Sequence, residues 1–194
     1  MTTTNQSLPP CSILLLAGGR GQRMGGRDKG LVPWRGRPLI AHIHDIVRPL
    51  TDDLIISCNR NQALYQPYAD QLVGDAQPDF PGPMAGVLAG LARARHARLL
   101  VLACDAPLID RALLEQLLHA AGPQPAAAMV RQAGQWQPMF SLVPKALLGA
   151  LQTHWQQGER SLLRALLEHG VCPVDCPAED ARLSNFNTLE LLQR

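Results

Sequence analysis

Between residues 17 and 30 the chain reads AGGRGQRMGGRDKG, a stretch suited to holding a polyphosphate. Glycines at 18, 19, 21, 25, 26 and 30 let the backbone fold tightly and present N–H groups to anionic oxygens. Arg20, Arg23, Arg27 and Lys29 supply the opposing charge. Residues 18–37 hold five arginines, one lysine and one acid, which is 6 of the 18 basic residues in 20 positions. Lys29 is one of two lysines beside 16 arginines. A compact ammonium suits a single phosphate oxygen better than a planar guanidinium does, although a count of two is also what chance produces.

Spacing narrows the chemistry. A Walker A loop needs Lys-Ser or Lys-Thr after its second glycine, and no window here supplies it. Gly19-Arg20-Gly21 begins a dinucleotide fingerprint, but Met24 stands where the third glycine belongs. A second polar cluster, Cys104-Asp105-Ala106-Pro107, follows the apolar run Leu99–Ala103. A lone aspartate emerging at a strand end suits Mg²⁺, which takes one or two carboxylates plus substrate phosphates. The alternative is a cap on the turn at Pro107. Asp75 forms a third cluster, either at the base or ribose end of a nucleotide or starting the turn before Pro78. Gly82 permits close backbone approach, and the helix start after Pro83 offers free N–H groups. Asn185 and Asn187 share a face in extended chain, where two amides could bind a polar ligand, or Asn187 caps a last helix. No Ser–His or Cys–His pairing supports covalent catalysis.

These clusters need strand ends to hold them. Short apolar runs at Ser12–Ala17, Leu54–Cys58, Gln71–Gly74 and Leu99–Ala103 alternate with helical patterns at Pro38–Val47, Asn61–Tyr68, Met84–Arg95 and Asp110–Ala120. The alternation predicts an α/β fold: a mostly parallel sheet, helices on both faces, right-handed crossovers and ligands beyond the C-terminal strand ends. The second half is less regular. Strands are expected at 126–131, 139–143 and 171–175, helices near 144–155, 160–169 and 188–193, and loops at 76–83 and 122–125.

The pattern L-A-G-G-x-G-x-R-M-G-G-x-D-K, with C-D-x-P at 104–107 and G-P-M-A-G at 82–86, resembles the molybdenum cofactor guanylyltransferase family of nucleotidyltransferases. The likeness is densest in residues 14–30, 73–86 and 102–107. It implies a single-domain, Rossmann-like three-layer sandwich of the nucleotide-diphospho-sugar transferase type. It implies transfer of GMP from GTP to the terminal phosphate of molybdopterin, with Mg²⁺ on Asp105. Lys29 and Arg23 would serve the phosphates, with Leu16, Ala17, Gly18 and Gly19 beside the nucleotide. Asn59 would contribute to nucleotide binding, although Ser57 departs from the family's N-x-N-R pattern. Gln137–Phe140 and Ser184–Thr188 resemble acceptor-side elements, which places Asn185 and Asn187 on the pterin. Residues of about 11–121 would form the nucleotide half and 122–194 the acceptor half, after a frayed tail at 1–10. A cytidylyltransferase using CTP, a sugar-phosphate nucleotidyltransferase and a binding module without turnover are the alternatives.

Composition sets the outer bounds. At 194 residues, 46% hydrophobic and 18% charged, the chain is an ordinary globular domain. A net charge of +2 does not argue for nucleic acid. Five cysteines without C-x-x-C suggest reduced thiols in a cytoplasm. No leader pattern and no apolar run of about 18 residues are present, so neither export nor membrane spanning is expected. The expectation is a monomer that meets molybdoenzymes or their chaperones.

Overall fold

A computed structural model describes residues 9–17, 19, 26–74, 82–120 and 126–186. The elements run β1 (Ser12–Leu16), β2 (Pro33–Trp34), β3 (Arg37–Pro38), α1 (Leu39–Val47), β4 (Leu54–Ser57), α2 (Gln62–Tyr65), β5 (Gln71–Val73), α3 (Pro83–Arg93) and β6 (Arg98–Ala103). They continue as α4 (Arg111–Ala120), β7 (Ala127–Gln132), β8 (Gln135–Pro144), α5 (Leu148–Gln156), α6 (Leu162–Leu167) and β9 (Val171–Cys176).

Seven strands form one sheet in the order β5-β4-β1-β6-β8-β7-β9. All neighbours pair in parallel except β8, which runs antiparallel to both β6 and β7. The central strands read as unbroken apolar runs because both of their faces are covered. Ile13 and Leu15 of β1 face Ile40, Ile43 and Val47 of α1 and the leucines of α4. Leu14 faces the other way, toward Met84, Val87 and Leu91 of α3, with α5 and α6 in the same layer. The result is three layers, helix–sheet–helix, as the alternation predicts. No helix among the described residues is long and apolar enough to cross a membrane.

Several expectations sharpen. Asp110 caps α4, the helix expected from 110, by accepting from the N–H of Leu113 at 2.8 Å. The helix expected over 61–68 is split: α2 ends at Tyr65 and a 3-10 turn, Gln66–Tyr68, carries Pro67, which has no N–H to continue an α-helix. The strand expected at 139–143 is the inner part of the longer β8. Its outer part pairs with β7 across Ala133-Gly134, both at positive φ (47° and 80°), the geometry of a tight hairpin. The same device at Arg35-Gly36 (φ 49° and 77°) closes the β2–β3 hairpin, which the apolar pattern does not announce. The helix expected at 188–193 and the body of both proline-rich loops lie outside the described residues.

Candidate active site

Three strands end level with one another. The register sets Leu16 of β1 opposite Ser57 of β4 on one side and Ala103 of β6 on the other. Two backbone bonds beyond the ladder keep the ends together: Ala17 N–H to the Ser57 carbonyl at 2.8 Å and Cys104 N–H to the Leu16 carbonyl at 3.2 Å. Above this edge lies a cleft of about 310 Å³ floored by Leu16, Ala17, Ser57 and Ala103. Gly82, Pro83 and Gly86 at the start of α3 form one wall, and Met139 of β8 and Asn185 complete the rim. Gly86 is needed for that wall. A Cβ there would lie 2.7 Å from Leu16 Cδ2 and 2.8 Å from Ser57 Oγ.

Gly19, Lys29 and the aspartate that follows β6 meet in this cleft. Lys29 Nζ donates to Asp105 Oδ2 at 3.2 Å, and both side chains line the cleft. They are 25% and 10% exposed, enough to be reached and too little to be fully hydrated. Gly19, Gly82 and Asn185 join them, as do Leu16 and Ala17. Phe186 N–H donates to the Asp105 carbonyl at 2.7 Å, which ties the late segment carrying Asn185 to the strand-end aspartate. The amide oxygen of Asn185 is buried, with no hydrogen-bond partner among the described residues. A buried acceptor left unpaired costs about 1–3 kcal/mol, so in a cleft it marks a place where a ligand donor fits.

Other expected residues fare differently. Asn59 is not among the lining residues; its Oδ1 lies 3.6 Å from where a Cβ on Gly74 would sit. Phe140 packs in the core while its neighbour Met139 faces the cleft. Arg27 is exposed. The basic cluster is not one unit: Arg35 lies over the Trp34 ring, centroid 4.4 Å away, and Arg37 pairs with Asp45 at 2.8 Å. Gly18, Arg23, Asp75 and Asn187 lie outside the described residues. The sequence reading names Cys104 in the strand-end cluster and Pro83 and Gly86 in the G-P-M-A-G pattern without giving them a site role, and it does not single out Ala103, which closes the apolar run before that cluster.

Electrostatics removes one chemistry. Burial, reinforced by the Asp105 and Asp28 carboxylates, pushes the Cys104 thiol far up, although Lys29 opposes the shift. Burial likewise lifts Cys58 to about 11. Both are neutral thiols at neutral pH and poor nucleophiles. Among the described residues no group of three or more His, Cys, Asp or Glu side chains could hold a metal by itself. Asp105 brings the one carboxylate among the described lining residues. That donor set fits a hard dication shared with substrate phosphates, not an all-protein cage.

The profile of the MobA-like NTP transferase domain matches residues 13–177. A Pseudomonas putida protein named molybdenum cofactor guanylyltransferase is 66% identical over 187 residues, covering 96% of this chain and 98% of that one. A protein of the same name from Pseudomonas aeruginosa is 63% identical over 189 residues, covering 97% and 96%. Among solved structures, molybdopterin-guanine dinucleotide biosynthesis protein A from Archaeoglobus fulgidus superposes with a TM-score of 0.73 at 24% identity, over 94% of this chain and 95% of that one. The 2-C-methyl-D-erythritol 4-phosphate cytidylyltransferase of Thermus thermophilus superposes at 0.70 and 16% identity, over 95% and 96%. At these identities the structural likeness shows the fold, that of the nucleotide-diphospho-sugar transferases.

Proposed function

The chain belongs to the MobA-like NTP transferase family, and on that premise we propose that it transfers GMP from GTP to the terminal phosphate of molybdopterin, releasing pyrophosphate. The observation that carries this reading is the meeting of Lys29 and Asp105 in one cleft at the ends of neighbouring strands. The full-length relatives named above carry the same activity in their names.

The attacking phosphate is already anionic, so no general base is required and positioning plus charge supply the rate. Attack on the α-phosphorus is in line with the departing pyrophosphate. Lys29 and Arg23 take up the charge that develops on that leaving group. The Ala17 N–H is already committed to the Ser57 carbonyl. The nucleotide therefore meets the Ala17 carbonyl and the backbone of Gly18 and Gly19, with Asp75 and Asn59 further along it. Gly82 gives the backbone close approach. Asp105 would hold Mg²⁺, which when bound neutralises charge on phosphate oxygens. On the acceptor half, about 122–194, Asn185 and Asn187 receive the pterin. The nucleotide half is about 11–121.

Incubation with molybdopterin and either GTP or CTP, with pyrophosphate as the readout, tests the reading. Release with GTP and not CTP is expected. Release with CTP alone would replace the guanylyl assignment with a cytidylyl one, and tight binding without release would leave a binding module. EDTA should stop release and added Mg²⁺ restore it; undiminished turnover in EDTA would remove the metal from Asp105. We further place the enzyme in the cytoplasm as a monomer that hands its product to molybdoenzymes or their chaperones.

A further inference from the structure

Lys29 opens a 3-10 turn of three residues, Lys29–Leu31, too short to fix the direction of a long side chain by itself. The residue before it is anchored. The Asp28 side chain is 6% exposed, and the segment after β4 sends three side chains to it. The Tyr65 hydroxyl donates to Oδ1. Asn61 Nδ2 donates to Oδ2 at 3.0 Å, and Arg60 Nε lies 3.7 Å from the same oxygen. Arg60 also reaches the Gly26 carbonyl at 2.8 Å, on the other side of the turn. Asn61 adopts a left-handed conformation, φ 55° and ψ 30°, at the head of α2.

Gly30 completes the arrangement. A Cβ at Gly30 would lie 2.5 Å from the Tyr65 hydroxyl oxygen, so the turn passes over that hydroxyl only as glycine. Tyr65 is fully buried in the core beneath the helical face of the sheet. Burial, with Cys104 and Asp28 nearby, pushes its hydroxyl far above the ordinary tyrosine range, so it remains a donor. Asp-Lys-Gly thus divides three tasks: anchor, charge and clearance.

We infer that Tyr65 is a positioning residue for group transfer, acting through Asp28 and over Gly30 to aim the Lys29 ammonium at the Asp105 end of the cleft. The inference rests on the reading above that Lys29 serves the nucleotide phosphates. A hydroxyl that merely satisfies a buried carboxylate would stabilise the fold and nothing more. A positioning hydroxyl alters where Lys29 points.

The lysine count makes this measurable without turnover. Lys29 and Lys145 are the chain's two lysines, so lysine-selective ¹³C,¹⁵N labelling gives two side-chain signals, assigned with Lys145→Arg. In full-length Tyr65→Phe, which keeps the ring, the Lys29 signal should move toward its position in Asp105→Asn while that of Lys145 stays. Loss of one charge-assisted contact is worth about tenfold, so kcat should fall about tenfold with the KM for GTP changed less than threefold. A Tyr65→Phe protein with a lower Tm, an unmoved Lys29 signal and kcat within twofold would overturn the inference. If Tyr65→Phe fails to fold, Asn61→Ala removes the other neutral donor and takes the same measurements, with the same overturning result. Lys29→Met with full turnover would sink the phosphate role of Lys29, yet a moved signal in Tyr65→Phe would still uphold the positioning.

Discussion

Lys29 and Asp105 stand 76 residues apart in the chain and 3.2 Å apart in space. Their contact is partly solvated, and ion pairs of that kind contribute about 0–1 kcal/mol to stability. Asp105→Asn should therefore leave Tm within about 4 °C. The same change removes the cleft's described carboxylate, and GTP-dependent pyrophosphate release should drop by about 10³-fold. A variant with turnover within tenfold of the parent would dismiss Asp105 from the chemistry. The thiols make a second test at this scale. Cys172 is half-buried while Cys11, Cys58, Cys104 and Cys176 are buried. Burial also pushes the Cys11, Cys58, Cys104 and Cys176 thiols upward. Iodoacetamide at pH 8 should mark Cys172 first in the folded protein, as peptide masses would report. Early labelling of Cys104 would mean the cleft is more open than its packing indicates. Lys29 and Asp105 were legible because composition and strand-end position both point to them. Tyr65 was not, since a tyrosine on a helical stripe looks like core, and its partner lies 37 residues away.

Element scale explains why the cleft has its shape. α3 lies close over β1 and β4 because Gly86 and Gly90, one helical turn apart, present no side chain to the sheet. A Cβ on Gly90 would lie 2.8 Å and 3.1 Å from the two methyls of Leu14 and 3.2 Å from Leu99 Cδ2. Both leucines are fully buried and have little room to yield. Alanine gains about 1 kcal/mol of helix propensity over glycine, but overpacking a core costs about 1–3 kcal/mol. Gly90→Ala should thus be neutral to destabilising by about 2 kcal/mol in urea unfolding, against the propensity trend. A clear gain in stability would show that α3 can lift away. The helical spacing in Met84–Arg95 made α3 visible in the sequence, yet how near it packs depends on leucines from other strands. The β2–β3 hairpin escaped for a related reason: two-residue strands carry no periodicity, and only the Arg-Gly turn hints at them. The outer half of β8 is polar and half-buried, so hydrophobic runs could not reveal it.

At the scale of the whole molecule, the sheet keeps its chemistry at one end and a stabilising carboxylate at the other. Asp53 sits before β4 at the N-terminal edge and is fully buried. Ser12 Oγ donates to it at 2.6 Å, Gln71 Nε2 at 2.7 Å and the Arg95 N–H at 2.8 Å, with Arg95 Nε 3.6 Å away. Those partners begin or precede β1, β5 and β6, so one side chain gathers four parallel strands. Burial alone would lift this carboxyl, but the bonds from Ser12, Arg95 and Gln71 outweigh it and hold it below the usual carboxylate range. A depressed folded value means the contribution is complete above the unfolded pKa of about 3.9 and disappears as pH falls through the folded value. Asn at this position would face donors with a donor and cost about 2–3 kcal/mol, roughly 5–10 °C in Tm for a chain of this size. Asp53→Asn should then melt well below the parent at pH 7, and the gap should narrow as pH falls below about 4 toward the folded value. Its kcat at 25 °C should stay within twofold, since the residue lies at the opposite end of the strands from Leu16, Ser57 and Ala103. Asp105→Asn should show the reverse, with turnover lost and Tm kept. If Asp53→Asn lost activity in proportion to stability, the two ends of the sheet would be coupled, and the cleft could not be treated as a rigid rim on an independently stable core.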